Sequence, residues 1–413
     1  MNLKKELIVE ILSDWNFWRK DIDTGIQRNH YLEKILKFIK SNKVISIIGV
    51  RRSGKSTLIN QIARILIQKG IPKNDILIVN FEEPQFEGVD VKSLLKIYEA
   101  YLEILNPTDK PFIFFDEIQN VKGWEKFEIF QLSFQEFLHF KGLKINGTKN
   151  ELLLNAASIK KYLRDYMQNG GFPEVVLNED KEFKRKVLIS YYEDIVNRDI
   201  VNRFRISKIE QIKAIARFYL TNIASPISFN SVSRFNKLPV ETVRRFSTYL
   251  ETSYLIFFVK RFSYSVKEQE NSPRKVYSID TGLSNTIGFR FSKDTGRLAE
   301  NIVALGLKIL QSDNPNIEIY YWKNHYGNKE VDFVVKESER ISQLIQVCWD
   351  IGEERVRKRE IDSIFKAMSE FKLNKGIIIT ADYEDEEIVK NRKILYIPLW
   401  KWLCNVKNEK NRG

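Results

Sequence analysis

The run Gly49-Val50-Arg51-Arg52-Ser53-Gly54-Lys55-Ser56-Thr57 fits G-x-x-x-x-G-K-[ST], with one threonine beyond it. This order of residue types suits a chain that wraps phosphates. Glycines let the backbone approach closely with its N–H groups turned inward. Lys55 is placed to reach the β- and γ-phosphates, and the Ser56 hydroxyl to ligate Mg²⁺. A second stretch, Pro111-Phe112-Ile113-Phe114-Phe115, ends in Asp116-Glu117. There Asp116 is expected to hold Mg²⁺ through water, and Glu117 to orient and deprotonate an attacking water. Together the two stretches point to a nucleotide phosphate chain held with Mg²⁺.

These residues need elements to position them. Val44 to Ile48 is β-branched and apolar, as a buried parallel strand should be. Thr57 to Ala63 has helical spacing, so the loop opens onto a helix N-terminus, which favours anions. Pro111 to Phe115 reads as a second central strand with its acids at the C-terminal edge, where ligands of open α/β sheets gather. A third strand starts at Asp75 and runs into Glu82-Glu83-Pro84. Glu82 or Glu83 faces the nucleotide or a partner subunit, or else is a solvated acid.

Composition sets the bounds. A chain of 413 residues with 43% apolar content has room for two or three domains. No window approaches eighteen apolar residues in a row, so no membrane span is expected. The start, "MNLKKELIVEILSDWNFWRK", lacks a signal-peptide core, so a cytoplasmic chain is expected. Two cysteines, Cys348 and Cys404, and three histidines argue against a disulfide framework or a zinc site. The net charge of +13 suits nucleic acid as a partner, or reflects a lysine-rich surface of no special role.

The middle of the chain reads as helices. "SIKKYLRDYMQNGGFPEVV" is amphipathic to Asn169, where Gly170-Gly171 stop it. "EFKRKVLISYYEDIVNRDIVNRFRI" has helical spacing, and Arg198, Asp199 and Arg203 lie either over the nucleotide or on a solvated face. Ser228 is expected to cap a short helix through Phe235. Asn236 to Leu238 would form a turn, and Val240 to Thr252 a second amphipathic helix starting after Pro239. With "YLIFFVKRF" as a wing strand, this looks like a winged helix. It would expose Arg244, Arg245 and Thr248 to DNA, or serve as a protein-docking module.

"GVRRSGKST", "NFEEPQF" and "DEIQNVKGWEKF" resemble the AAA+-type P-loop ATPases of archaea and bacteria that carry a C-terminal domain of uncharacterised function. "LSFQEFL", "GGFPEVV", "YYEDIVNRDIVNRF", "YSIDTGL", "RLAENIVALGL" and "NKEVDFVV" continue the likeness in order. The resemblance implies an ATP-binding module, a helical and winged-helix middle and a restriction-endonuclease-like end. One departure stands out. In the family another core strand with a polar cluster, a helix and an arginine finger precede "LSFQEFL". Here only a few residues separate Phe127 from Leu132, too few for a crossover, which needs about a dozen. The absence requires the strand ending at Ile48 and that ending at Phe115 to pair directly, with Glu128 to Leu132 as an edge strand. ATP is then held but hydrolysed slowly or not at all.

Glu300 on a helix, Glu330-Val331-Asp332 and "LIQVCWD" resemble the core of PD-(D/E)xK nucleases, in which acids and a lysine hold Mg²⁺ and activate water. The acid-x-Lys positions fall on Gln346 and Cys348, so a retained fold without catalysis is expected. Ile377 to Ile379 would be a central strand. The expected fold is α/β: a P-loop parallel sheet lacking one core strand (1–145), a helical and winged-helix middle (146–270) and an α/β nuclease-like end (271–413). Two functions compete. One is an ATP-dependent switch acting on nucleic acid or a protein partner, and the other a non-hydrolysing adaptor. Oligomeric state stays open.

Overall fold

The computed structural model describes residues 5–39, 45–81, 83, 91–116, 125–145, 148–289 and 294–405. Contacts divide the chain into two units, residues 1–48 with 54–129, and residues 49–53 with 130–413.

The first unit carries strands β1 (Ile45–Gly49), β2 (Ile76–Asn80), β3 (Phe112–Asp116) and β4 (Glu125–Ile129). β2 and β3 run parallel, from Ile76 opposite Phe112 to Asn80 opposite Asp116. β1 hydrogen-bonds to β4. This corrects the expected pairing of β1 with β3. The segment after the acidic strand supplies its own strand, starting at Glu125 rather than Glu128, and that strand is the neighbour of β1.

β2 alternates between two apolar layers. Ile76 and Ile78 pack with Leu58, Ile62, Ala63 and Leu66 of helix Lys55–Gln68 and with Leu32 and Ile35 of helix Asn29–Phe38. Leu77 and Val79 pack with Ile97, Ala100 and Tyr101 of helix Val91–Leu105 and with Ile8, Val9 and Leu12 of helix Lys5–Ser13. Helices on both faces are what a fully buried apolar strand such as β2 requires, whereas Ile113 and Phe115 on one face of β3 are exposed. The side of Ile78 away from β3 is closed by Asn16, which is fully buried. Its Nδ2 donates to the carbonyls of Ile78 (2.8 Å) and Leu12 (2.7 Å), and the Ile78 amide donates to its Oδ1 (2.7 Å).

The second unit is built on a sheet of nine strands. They are β5 (Ser225–Ile227), β6 (Ile256–Arg261), β7 (Arg274–Ser278), β8 (Ile317–Lys323), β9 (Glu330–Glu337), β10 (Arg340–Val347), β11 (Lys375–Thr380), β12 (Asp385–Val389) and β13 (Arg392–Pro398). Their spatial order is β12-β13-β11-β10-β9-β8-β6-β7-β5. The sheet is mixed: β10, β11 and β13 are parallel, as are β6 and β8, and the remaining pairs are antiparallel. Ile377 and Ile379 join one core with Ala299, Ile302 and Val303 of helix Thr295–Asp313. Ile378 joins another with Ile364 and Met368 of helix Glu354–Glu370. Ile377 to Ile379 thus lie in an interior strand, as expected. β6 reaches the later strands through Lys260 and Arg261 opposite Tyr320 and Tyr321, so the sheet runs across the 270/271 boundary drawn from sequence.

The helical region of this unit includes Ala156–Asn169, Lys181–Asp194 and Ile209–Thr221, with a π-helical turn at Ile195–Asn202 directly after Asp194. Gly170 ends the first helix at φ +78°, and a Cβ there would lie 2.1 Å from an Asp280 carboxylate oxygen. The space is needed because Asp280 accepts the Gly171 amide at 2.7 Å. Among the described residues no helix is long and apolar enough to cross a membrane.

Candidate functional site

β1 delivers the chain into the phosphate-type loop at Gly49, and helix Lys55–Gln68 receives it. Gly54, at φ +90°, is the residue before the helix, and the Leu58 amide closes the first turn on its carbonyl at 3.0 Å. The turn between them is tied by the Ser53 amide donating to the Val50 carbonyl at 3.3 Å. Arg52 is left-handed at φ +67°. Succession of right- and left-handed residues turns backbone N–H groups toward a common centre, the geometry that holds anions. Val50 and Ser53 are buried, Lys55 is half-buried, and Ser56 and Thr57 are exposed in the first helical turn.

Asp116 ends β3 opposite Asn80 and is 7% exposed. A serine hydroxyl and a carboxylate form an oxygen donor set suited to Mg²⁺, which binds through one or two such groups and keeps several waters. Glu117 and Glu82 lie outside the described residues. Glu83 accepts the Trp15 indole N–H at 3.1 Å.

Two arginines of residues 49–53 pair with carboxylates of the second unit. Arg51 Nε lies 3.2 and 3.4 Å from the two Asp199 carboxylate oxygens. The Arg52 guanidinium is 3.7 Å from Asp194 and stacks over the Tyr191 ring at 5.5 Å. Arg198 turns to Asp194 as well, at 3.6 Å, and Arg203 lies over Phe204.

Polar side chains follow β4 closely, and both serve the second unit's own fold. The Gln131 amide donates to the Ile279 carbonyl. Ser133 caps helix Phe134–Phe140 in a reciprocal box with Glu136. Further on, Ser228 caps helix Phe229–Asn236, Lys237 turns the chain at φ +53°, and helix Val240–Thr252 follows Pro239. Arg244, Arg245 and Thr248 are exposed there. The Arg244 guanidinium stacks on Phe229 and pairs loosely with Glu241.

Two of the four residues singled out in the last region, Glu300 and Asp332, meet at a residue that sequence reasoning missed, and a third, Gln346, bonds to Asp332. Lys275, on β7, is 1% exposed. Its ammonium lies 2.7 Å from Asp332, 2.8 Å from Glu330 and 3.0 Å from Glu300. Tyr277 donates its O–H to Glu300 at 2.7 Å. Gln346 Oε1 accepts the Asp332 amide at 3.1 Å, and its Nε2 donates to Glu360 at 2.8 Å. The Val347 amide donates to the other Asp332 oxygen at 2.8 Å. Cys348 is buried beside the group, with its S–H directed to the Asp350 carbonyl. Burial, with Asp332 second, pushes Glu300 up to about 7. Burial alone would lower Lys275, but the surrounding carboxylates outweigh it and hold the ammonium well above its ordinary value. Burial pushes the Cys348 thiol up to about 12. The available signal for Lys275 was a lysine inside the apolar-aromatic strand "RKVYSI", where a charge needs a buried partner.

Comparison with known proteins assigns three parts of the chain. Residues 41–129 match the AAA domain, a likeness that suggests an ATPase-type module. Residues 160–294 and 295–402 match two domains of unknown function, DUF8612 and DUF4143. The uncharacterized protein MJ1544 of Methanocaldococcus jannaschii is 31% identical over 411 residues, covering 87% of this chain and 88% of that one. The chain belongs to the MJ1544 family. More distant full-length relatives of this family member are an uncharacterized protein of Haemophilus influenzae (25% identical, 91% of this chain and 98% of that one) and the uncharacterized protein MJ1637 of Methanocaldococcus jannaschii (23% identical, 95% and 90%). The AAA match spans the loop, β2, β3 and β4 of the MJ1544-family chain, so it covers Lys55, Ser56 and Asp116.

Proposed function

We propose that the chain binds ATP with Mg²⁺ through the loop Gly49 to Thr57 and works as a nucleotide-dependent switch with slow turnover. The observation that carries this is the loop's backbone. It is folded as an anion-holding turn, with left-handed Arg52 and Gly54, at the N-terminus of a 14-residue helix that starts at Lys55. Lys55 supplies charge to the β- and γ-phosphates. Ser56 and Asp116 hold Mg²⁺, which when bound neutralises phosphate charge, and Glu117 orients the attacking water. The test is calorimetric titration with Mg·ATP of the parent and of Lys55→Ala. Loss of a charge-assisted phosphate contact should weaken binding by about 1.5–3 kcal/mol, roughly ten- to over a hundredfold in Kd. Equal affinity would refute the assignment.

Slow turnover rests on the residues after β4. Gln131 and Ser133, the first polar side chains beyond that strand, are engaged with Ile279 and Glu136. The nearby arginines Arg51, Arg52 and Arg198 are engaged with Asp199 and Asp194. With these side chains engaged, none of them is left to assist Glu117 or to serve as an arginine finger, so ground-state contacts persist while transition-state contacts are lost. The same observation favours the second reading, an adaptor that holds ATP and never cleaves it.

The nucleotide state would act through a winged-helix region that meets nucleic acid by Arg244 and Arg245, or docks a protein; their exposure supports either. The three-part division at 145/146 and 270/271 belongs to this proposal. The C-terminal part is read as a nuclease-like fold without cleavage. Lys275 supports that reading: its ammonium sits amid Glu300, Glu330 and Asp332, where a nuclease of the resembled kind would hold Mg²⁺.

A further inference from the structure

Asp194 and Asp199 are five residues apart, and both meet the phosphate-type loop. On an ordinary helix of 3.6 residues per turn they would point about 140° apart. The chain instead winds as a π-helix from Ile195 to Asn202. Hydrogen bonding from i to i+5 stacks residues five apart over one another, so both carboxylates face one way. They meet consecutive residues, Arg51 and Arg52. Of the two, Arg52 holds a left-handed backbone, which is strained for a non-glycine residue and persists only where surroundings enforce it. Here Asp194 and the Tyr191 ring hold its guanidinium, and buried Val50 anchors the loop's start in the second unit's core. π-Helical turns are rare and concentrate at functional sites.

We propose that Asp194 and Asp199, aligned by the π-helical turn, are positioning residues that clasp Arg51 and Arg52 and hold the loop in its phosphate-binding conformation. The inference rests on the nucleotide-binding reading above and adds to it a coupling. A clasp that favours bound nucleotide is itself favoured by nucleotide, since linkage between two sites is reciprocal. Loop occupancy is therefore registered as order in residues 195–202, inside the helical region.

The full-length chain is titrated with Mg·ATP by calorimetry, and amide hydrogen exchange of residues 195–202 is followed with and without it. Asp194→Asn/Asp199→Asn should bind about tenfold more weakly, from loss of a half-buried ion pair and release of a strained backbone. Adding Arg52→Gly should recover the part due to Asp194, because glycine adopts positive φ without a clasp. Mg·ATP should slow exchange of 195–202 in the parent and leave it unchanged in the double variant. Arg51→Gln removes the Asp199 tether from the loop side and should weaken binding, which keeps the question open to test if the double variant does not fold. The clasp is refuted if the parent binds in a Lys55-dependent way while the aspartate variants bind within twofold of it, or if ATP leaves parental exchange at 195–202 unchanged. Binding indifferent to Lys55→Ala would instead remove the nucleotide-binding reading, and the clasp with it.

Discussion

Lys275→Met is the sharpest perturbation of the second unit. Methionine matches the length of the lysine stem but takes away the ammonium that Asp332, Glu330 and Glu300 share within 3.0 Å. Removing one partner of a buried ionic group leaves uncompensated charge and costs about 3–5 kcal/mol. That is a large part of the total stability of an ordinary domain. The loss should depend on pH, with a definite sign. Glu300 is raised to about 7 in the folded parent from an ordinary 4.5, so the fold binds its proton more tightly than the unfolded chain. The stability linked to that group is complete below about 4.5 and lost as pH rises through 7. The lysine opposes this loss by favouring the carboxylate. Without it, Glu300 holds its proton still more tightly, and the deficit grows with pH. Urea unfolding followed by the fluorescence of Trp322, Trp349, Trp400 and Trp402 should show about 3–5 kcal/mol lost at pH 8. At pH 5 the loss should be smaller by at least about 1.4 kcal/mol, the equivalent of one pK unit. A deficit under 1 kcal/mol, or one that does not change with pH, would mean that Lys275 does not compensate the cluster.

Two further outcomes follow from single groups. On the proposed nuclease-like reading, the parent should show no Mg²⁺-dependent cleavage of single- or double-stranded DNA, because Gln346 and Cys348 would stand at the acid-x-Lys positions and the Lys275 ammonium already pairs with Glu300, Glu330 and Asp332; cleavage abolished by Asp332→Ala would refute this. Asn16→Ala should destabilise the first unit by about 2 kcal/mol or more, since it strands the buried Ile78 amide and carbonyl that Asn16 satisfies; thermal unfolding unchanged from the parent would show that another group takes them over.

The loop was legible in the sequence because its chemistry is contiguous: phosphate wrapping needs glycines, a lysine and a hydroxyl at fixed spacing on one turn. Helices with capping residues were legible for the same reason, as Ser228 and the stop at Gly170 show. Pairings were not. The partner of β1 turned on where a five-residue strand began, and a start at Glu125 rather than Glu128 changes its neighbour. Lys275 escaped because a motif was sought at fixed spacing around Gln346, whereas the lysine arrives from a strand 57 residues before Asp332. Asp199 lies 148 residues from Arg51, and only the π-helical winding sets it on the same side as Asp194. Short-range chemistry is written in residue order, while charge compensation is written in the fold.

Phosphate release from Mg·ATP under single-turnover conditions, with protein in excess over nucleotide and at several protein concentrations, tests the central claim most directly. The account predicts that bound nucleotide remains ATP for many minutes. Release should be no faster than the roughly 10⁻³ s⁻¹ or slower typical of P-loop sites without an arginine finger. Rapid, sustained release that Glu117→Gln abolishes would contradict it.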